Sequence, residues 1–172
     1  MQDVGDRAIF GFRIGPAEPQ CPMRDVNIFI NGEDVTPEDP SVYLPSFLGL
    51  IQDTANRLEA KIDYLKHDSL FSGLNVTEVH NALLHNNREV FVSDTEWWSV
   101  HEHHRFGDWG ETTDGFTAFL IPYCGKLQLT CQTRDRRVAR YDHLPCVRGV
   151  QVTPYYLIVT LKAALDILMR DA

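Results

Sequence analysis

Thirteen residues, from Trp97 to Trp109, hold all three tryptophans and three of the seven histidines of the chain. Two kinds of chemistry are open to those residue types at that spacing. If the run is extended, His101 and His103 point to one face, and two imidazoles on one face begin a site for zinc or another divalent ion. Such a site needs three or four ligands, so the rest would come from His80, His85, His143 or an acidic group. The other chemistry is recognition. Tryptophan buries a large area at small entropic cost and is over-represented among the residues that dominate protein interfaces. Asp94, Glu96, Glu102, Asp108, Glu111 and Asp114 flank the tryptophans, which would suit a partner with a basic site. A third reading needs neither: the tryptophans fill core and sheet faces, and the histidines occupy a polar loop.

Other reactive side chains are sparse. Cys131 or Cys146 with His143 would supply a nucleophile and its base, although a structural thiol accounts for either cysteine more simply. Arg134-Asp135-Arg136-Arg137 is the basic cluster of the chain and reads as a solvated turn. No glycine-rich phosphate loop, nucleophile elbow, metalloprotease helix or deaminase motif is present in the sequence. No catalytic residue and no cofactor is therefore assigned. The four cysteines include no CxxC pair and are expected to be reduced.

Length and charge narrow the partners. The chain has 172 residues, which fits a single domain spanning 1–172. Lys plus Arg is 16 and Asp plus Glu is 24, a net charge of −8. Nucleic-acid affinity comes mostly from basic residues displacing counterions, so no nucleic-acid partner is expected. An anionic membrane surface would repel the chain. No apolar run reaches the ~18 residues a bilayer span needs, since Thr160, Lys162 and Asp166 interrupt Tyr155–Met169, and the N-terminus lacks the pattern of a secretory signal. A cytoplasmic location is expected.

The elements that must position these residues follow from periodicity. Ala8–Ile14 and Val26–Ile30 are short, apolar and rich in β-branched and aromatic residues, which predicts strands. Asn31-Gly32 is a turn signal. Pro45 opens an amphipathic helix with Phe47, Leu48, Ile51, Ala55, Leu58, Ile62 and Leu65 on one face, five or six turns long. A shorter helix follows Asn75, with Thr77 as its expected N-cap and Asn86-Asn87 as its end. Strands are expected over Glu89–Ser93, Glu96–His103, Gly115–Pro122, Lys126–Thr133, Arg137–Tyr141 and Gly149–Val152. Cys124-Gly125 would join a hairpin. Leu127, Leu129 and Cys131 alternate with polar residues, which predicts one wet sheet face. Thr153-Pro154 then caps a final helix with Leu157, Ile158, Leu161, Ala164, Leu165 and Leu168 facing inward. Strands linked by hairpins, with helices set apart, predict an α+β fold. It is a mainly antiparallel sheet with two long amphipathic helices and one short helix packed on it.

Ile28-Phe29-Ile30-Asn31-Gly32, then Val35-Thr36, then Val42-Tyr43-Leu44-Pro45-Ser46-Phe47 entering a helix, resembles bacterial immunity proteins of polymorphic, contact-dependent toxin systems. Glu111-Thr112-Thr113-Asp114-Gly115-Phe116 entering a strand shares that character, and the resemblance covers about a third of the chain. It implies an acidic α+β protein, not an enzyme, that neutralises a cognate secreted toxin by covering its active site. Many such toxins are nucleases with basic clefts, which an acidic surface can occupy with fast, electrostatically steered association. The expected contacts are Glu33, Asp34, Glu38, Asp39, Glu96, Trp97, Trp98, Asp108, Trp109, Glu111 and Asp114. Two alternatives remain open at this point. One is a metal-binding protein or metal-dependent enzyme using His101–His104, and the other is a structural or scaffold component.

Overall fold

The computed structural model describes residues 1–18, 20–36, 40–60, 63–133 and 147–170. They form an α+β fold of antiparallel sheets and four α-helices. The chain falls into two compact units. One comprises Met1–Ile62, Asp108–Phe116 and Thr153–Ala172, the other Asp63–Gly107 and Thr117–Val152.

In the first unit, β1 (Gln2–Asp6), β2 (Phe10–Ile14), β3 (Met23–Ile30) and β4 (Glu33–Asp34) are joined in that order. The strand β5 (Ser41–Tyr43) also pairs with β3. The hairpins β1–β2 and β2–β3 are antiparallel, with Gly5 opposite Gly11 and Phe12 opposite Ile28. A Cβ on Gly11 would lie 2.0 Å from the Val4 carbonyl oxygen and 2.6 Å from the Phe29 ring, so only glycine fits that crossing. The Asn31-Gly32 turn closes β3 onto β4, with φ of 51° and 86° at its two residues. Those positive values are the ones a two-residue hairpin of this hand requires. β1 was not expected from the sequence. Val4 is its one buried residue, so the strand carries no apolar alternation to reveal it.

Helix α1 (Leu44–Glu59) starts with Pro45 in its first turn and buries Leu44, Phe47, Ile51, Ala55 and Leu58. It is shorter than its apolar spacing predicts. Leu65 is 41% exposed, and the Asp63 carboxylate accepts a hydrogen bond from the Leu65 amide at 3.0 Å, holding a turn there. The final helix α4 (Pro154–Arg170) follows the sequence closely. The Thr153 hydroxyl accepts from the Tyr156 amide at 3.2 Å, and Leu157, Leu161, Ala164, Leu165 and Leu168 are buried. α4 packs on α1 and β2. The Tyr156 hydroxyl donates to the Phe10 carbonyl and accepts from the Asp6 amide, each at 2.7 Å, which ties the helix to the first hairpin.

The second unit holds α2 (Val76–His85), α3 (Asp94–His104), β6 (Arg105–Phe106), most of β7 (Phe116–Tyr123), β8 (Lys126–Thr133) and β9 (Arg148–Val152). The four strands are joined in numerical order. The β7–β8 turn is Cys124-Gly125, both with positive φ. Leu127, Leu129 and Cys131 are buried as expected, but so is Thr130, which hydrogen-bonds to His80. The N-cap of α2 is Asn75 rather than Thr77. The Asn75 side chain accepts from the Glu78 amide at 3.0 Å, and the Glu78 carboxylate accepts from the Asn75 amide at 2.7 Å. This reciprocal capping satisfies two donors that the helix would otherwise leave unpaired. Asn86 ends α2 in a left-handed conformation. A core of Phe71, Val79, Leu83, Phe91, Val100, Phe119 and Ile121 fills the unit.

Two expected strands are corrected here. Residues 89–93 form a turn, with the Val90 and Phe91 amides donating to the Asn87 carbonyl. Residues 94–104 are the helix α3, not a strand over Glu96–His103. The Ser93 hydroxyl accepts from the Glu96 amide at 3.1 Å and starts the helix. Its inward stripe is Trp97, Val100 and His104, at helical steps of three and four. Because a histidine completes the stripe, no apolar repeat is visible in the sequence. The expected strand at Arg137–Tyr141, the Arg134–Arg137 cluster, His143 and Cys146 lie outside the described residues. No helix among the described residues is long and apolar enough to cross a membrane.

Candidate functional site

The tryptophan- and histidine-rich run is divided by the fold. The boundary between the units falls between Gly107 and Asp108, so α3 belongs to the second unit and Trp109 to the first. Each half therefore stands alone.

Trp109 is a core residue. It is 2% exposed, with its ring centroid 5.5 Å from Phe12, 6.2 Å from Phe10 and 6.3 Å from Phe47. Its indole N–H donates to the Thr54 hydroxyl at 2.9 Å, and the Thr54 hydroxyl donates onward to the Leu50 carbonyl. Its backbone amide donates to the Thr113 hydroxyl at 2.9 Å. Trp109 thus offers no contact surface, which corrects its place among the expected contacts. Around it, Asp108, Glu111 and Asp114 are exposed. Glu111 opens a short 3-10 turn, Glu111–Thr113, pinned where the Thr112 hydroxyl donates to the Ser41 carbonyl at 3.0 Å. Glu33 and Asp34 form β4 and are half-buried; Asp34 pairs with Arg7 at 3.0 Å. Glu38 and Asp39 lie outside the described residues.

On α3 the aromatic pair is split by burial. The Trp97 indole donates to the Leu83 carbonyl at 2.7 Å and packs against the core of the second unit. Trp98 is 53% exposed and stacks on His101, with centroids 5.5 Å apart and planes at 11°. His101 also meets the edge of Phe119 at 5.2 Å. Burial lowers the His101 pKa, and the neighbouring Glu102 carboxylate opposes that shift. The result is a neutral, aromatic ledge at near-neutral pH. The carboxylates beside it are engaged. Glu96 accepts from the Val92 amide at 2.8 Å, Glu102 pairs with Arg105 at 3.1 Å, and Asp94 pairs with Arg88.

The expected metal pair does not assemble. On a helix, residues two apart diverge by about 200°, so His101 faces Trp98 while His103 turns elsewhere. His103 and His104 instead meet His67, and one nitrogen from each of these three lies within 4.8 Å of the others. His67 Nδ1 and His104 Nε2 are 2.9 Å apart, and His104 Nδ1 donates to the Leu120 carbonyl at 2.6 Å. His103 Nε2 donates to the Asp63 carbonyl at 2.8 Å. Burial lowers the His104 pKa to about 3, partly offset by the bond to Leu120, and burial next to His103 also lowers that of His67. Nothing around His67 in the sequence marks it; it sits 37 positions before His104. Of the other histidines offered as ligands, His85 is exposed at the end of α2, His143 lies outside the described residues, and His80 is buried with its Nδ1 2.9 Å from the Thr130 hydroxyl. That hydroxyl donates to the Phe119 carbonyl, so it accepts from His80.

No nucleophile emerges among the described residues. Burial pushes the Cys131 thiol up to about 12, so at neutral pH it holds no reactive thiolate. Cys21, Cys124 and Cys131 are free thiols.

No family model and no curated protein matches the chain. Among solved structures, the fold is similar to that of CdiI from Burkholderia dolosa AUO158, a contact-dependent growth inhibition immunity protein. The TM-score is 0.60 at 12% sequence identity, and the match covers 96% of this chain and 99% of that one.

Proposed function

We propose that this chain is an immunity protein that binds and neutralises a cognate bacterial toxin in the cytoplasm. The observation that carries the proposal is the fold match to CdiI, which runs nearly end to end in both chains. The protein is read as a binder because the match spans 96% of this chain and 99% of that one.

The proposed contacts follow from exposure and charge. Trp98 supplies the exposed aromatic anchor, held in place by its stack on His101. Trp97 and Glu96 hold the helix and indole behind it. In the first unit Glu33, Asp34, Asp108, Glu111 and Asp114 supply carboxylates. The sequence alone adds Glu38 and Asp39, which lie outside the described residues. A net charge of −8 favours a toxin with a basic, nuclease-like cleft, and it would accelerate association more than it tightens the final complex. Slow dissociation would come from the buried aromatic anchor.

The test is protection. Cells expressing the toxin domain encoded beside this chain should survive only when the chain is co-expressed, and the two proteins should co-purify. Growth arrest despite good expression of the chain would refute the reading.

A further inference from the structure

His67, in the turn before α2, and His103 and His104, at the end of α3, take no part in the toxin-binding surface proposed above, and their geometry asks for an explanation of its own. His67, His103 and His104 all belong to the second unit, and their ring nitrogens converge to within 4.8 Å. Two of the three rings are oriented by backbone carbonyls. His104 gives its Nδ1 proton to Leu120, which leaves the Nε2 lone pair directed at His67. His103 gives its Nε2 proton to Asp63, which leaves the Nδ1 lone pair. A histidine that ligates a metal normally places its other ring proton on just such a carbonyl, because that fixes the tautomer and the ring plane. Aromatic rings flank two of them: Phe71 meets His104 edge-on at 5.8 Å, and Tyr64 lies tilted against His103 at 5.8 Å.

We propose that His67, His103 and His104 bind one divalent transition-metal ion of the zinc type, through His104 Nε2, His67 Nδ1 and one ring nitrogen of His103, with water in the fourth position. Three imidazoles select zinc, copper or nickel over calcium and magnesium, which prefer oxygen. The spacing suits the ion. Tetrahedral zinc–nitrogen bonds of about 2.05 Å put neighbouring ligand atoms about 3.3 Å apart. The His67–His104 pair, at 2.9 Å, opens by about 0.4 Å, and a wider pair, at most 4.8 Å, closes by no more than about 1.5 Å.

The proton balance is simple. Without the ion, His67 Nδ1–H donates to His104 Nε2. With it, His67 carries its single proton on Nε2, and no proton is released. Burial already holds His67 and His104 in the neutral form that ligates. Bound there, the ion would tie the end of α3 to the segment at residues 63–67.

The experiment is a cobalt(II) titration of tag-free, metal-stripped full-length protein followed by visible absorbance, with a zinc competition and a thermal melt. The expected result is one ion per chain with the intense absorption of a tetrahedral nitrogen site, displaced by zinc, and a higher Tm with zinc present. His67→Ala and His103→Ala should each weaken binding at least tenfold, whereas His101→Ala should leave it unchanged. Both informative variants lie at half-buried positions, so they are expected to fold, with circular dichroism as the check. Binding weaker than millimolar in the parent overturns the proposal. So does binding that survives both variants, or binding lost in His101→Ala instead.

Discussion

Two halves of one short stretch end in opposite environments. Trp109 sits at the centre of an aromatic core with both of its N–H groups satisfied, whereas Trp98, eleven residues earlier, lies half in solvent on a helix face. In sequence the two look alike: a tryptophan among acidic residues and histidines. The difference lies in what each faces. Asp108–Phe116 is held in the first unit, where Phe10, Phe12 and Phe47 surround the indole. α3 turns by helical steps, so Trp97 and His104 go inward and Trp98 goes out. Clustering of aromatic residues along a chain therefore says little about whether they form one surface.

The contrast is broken most forcefully at Trp109. Trp109→Ala should cost about 3–5 kcal/mol, because it removes a large buried ring from a packed cluster. Urea denaturation measures this, and a loss below about 1 kcal/mol would mean that the indole is not in the core.

Acid should separate the units next. Among the described residues, all the histidines held below their ordinary pKa, His67, His80, His101 and His104, belong to the second unit. Burial takes His80 from 6.5 to about 4, and its Nε2 meets no acceptor among the described residues. The unfolded chain therefore takes up that proton first. Stability from His80 is full above pH 6.5 and falls as the pH drops through 4. The loss is about 3 kcal/mol once the pH is below the folded value. His104 adds to the fall in the same direction. Hydrogen exchange at pH 7 and pH 4.5 should show amides of α2 losing protection before those of β2 and β3. Equal loss in both units would contradict the assignment.

Smaller changes sharpen the picture. Thr54→Val removes the acceptor for the Trp109 indole and should cost about 1–2 kcal/mol, with a shifted tryptophan fluorescence maximum. Asn75→Ala removes one arm of the α2 capping box and should cost about 1 kcal/mol by urea denaturation. Trp98→Ala should leave stability within about 0.5 kcal/mol, as expected for a surface residue.

The sequence made some elements legible and hid others for physical reasons. α4 was readable because Thr153 and Pro154 mark its start and its leucines keep one face. The Asn31-Gly32 and Cys124-Gly125 turns were readable because few residues accept positive φ. α3 was hidden because a histidine, buried through its bond to Leu120, stands where an apolar residue would have completed the stripe. β1 was hidden because a single valine carries its burial. The same limits governed the site. The exposed half of the aromatic run could be named from composition, but the core role of Trp109 depends on distant phenylalanines. The convergence of His67 with His103 and His104 depends on a turn that no local pattern announces.

The central claim is that the exposed face of α3 recognises a toxin while the buried half of the run only holds the fold. Its most direct test is calorimetric binding of the adjacent-frame toxin domain to the parent chain and to Trp98→Ala. The expected result is a tight one-to-one complex that Trp98→Ala weakens by roughly tenfold or more, about 1.4 kcal/mol, without loss of folding. A toxin domain that binds parent and variant equally, or binds neither, would contradict it.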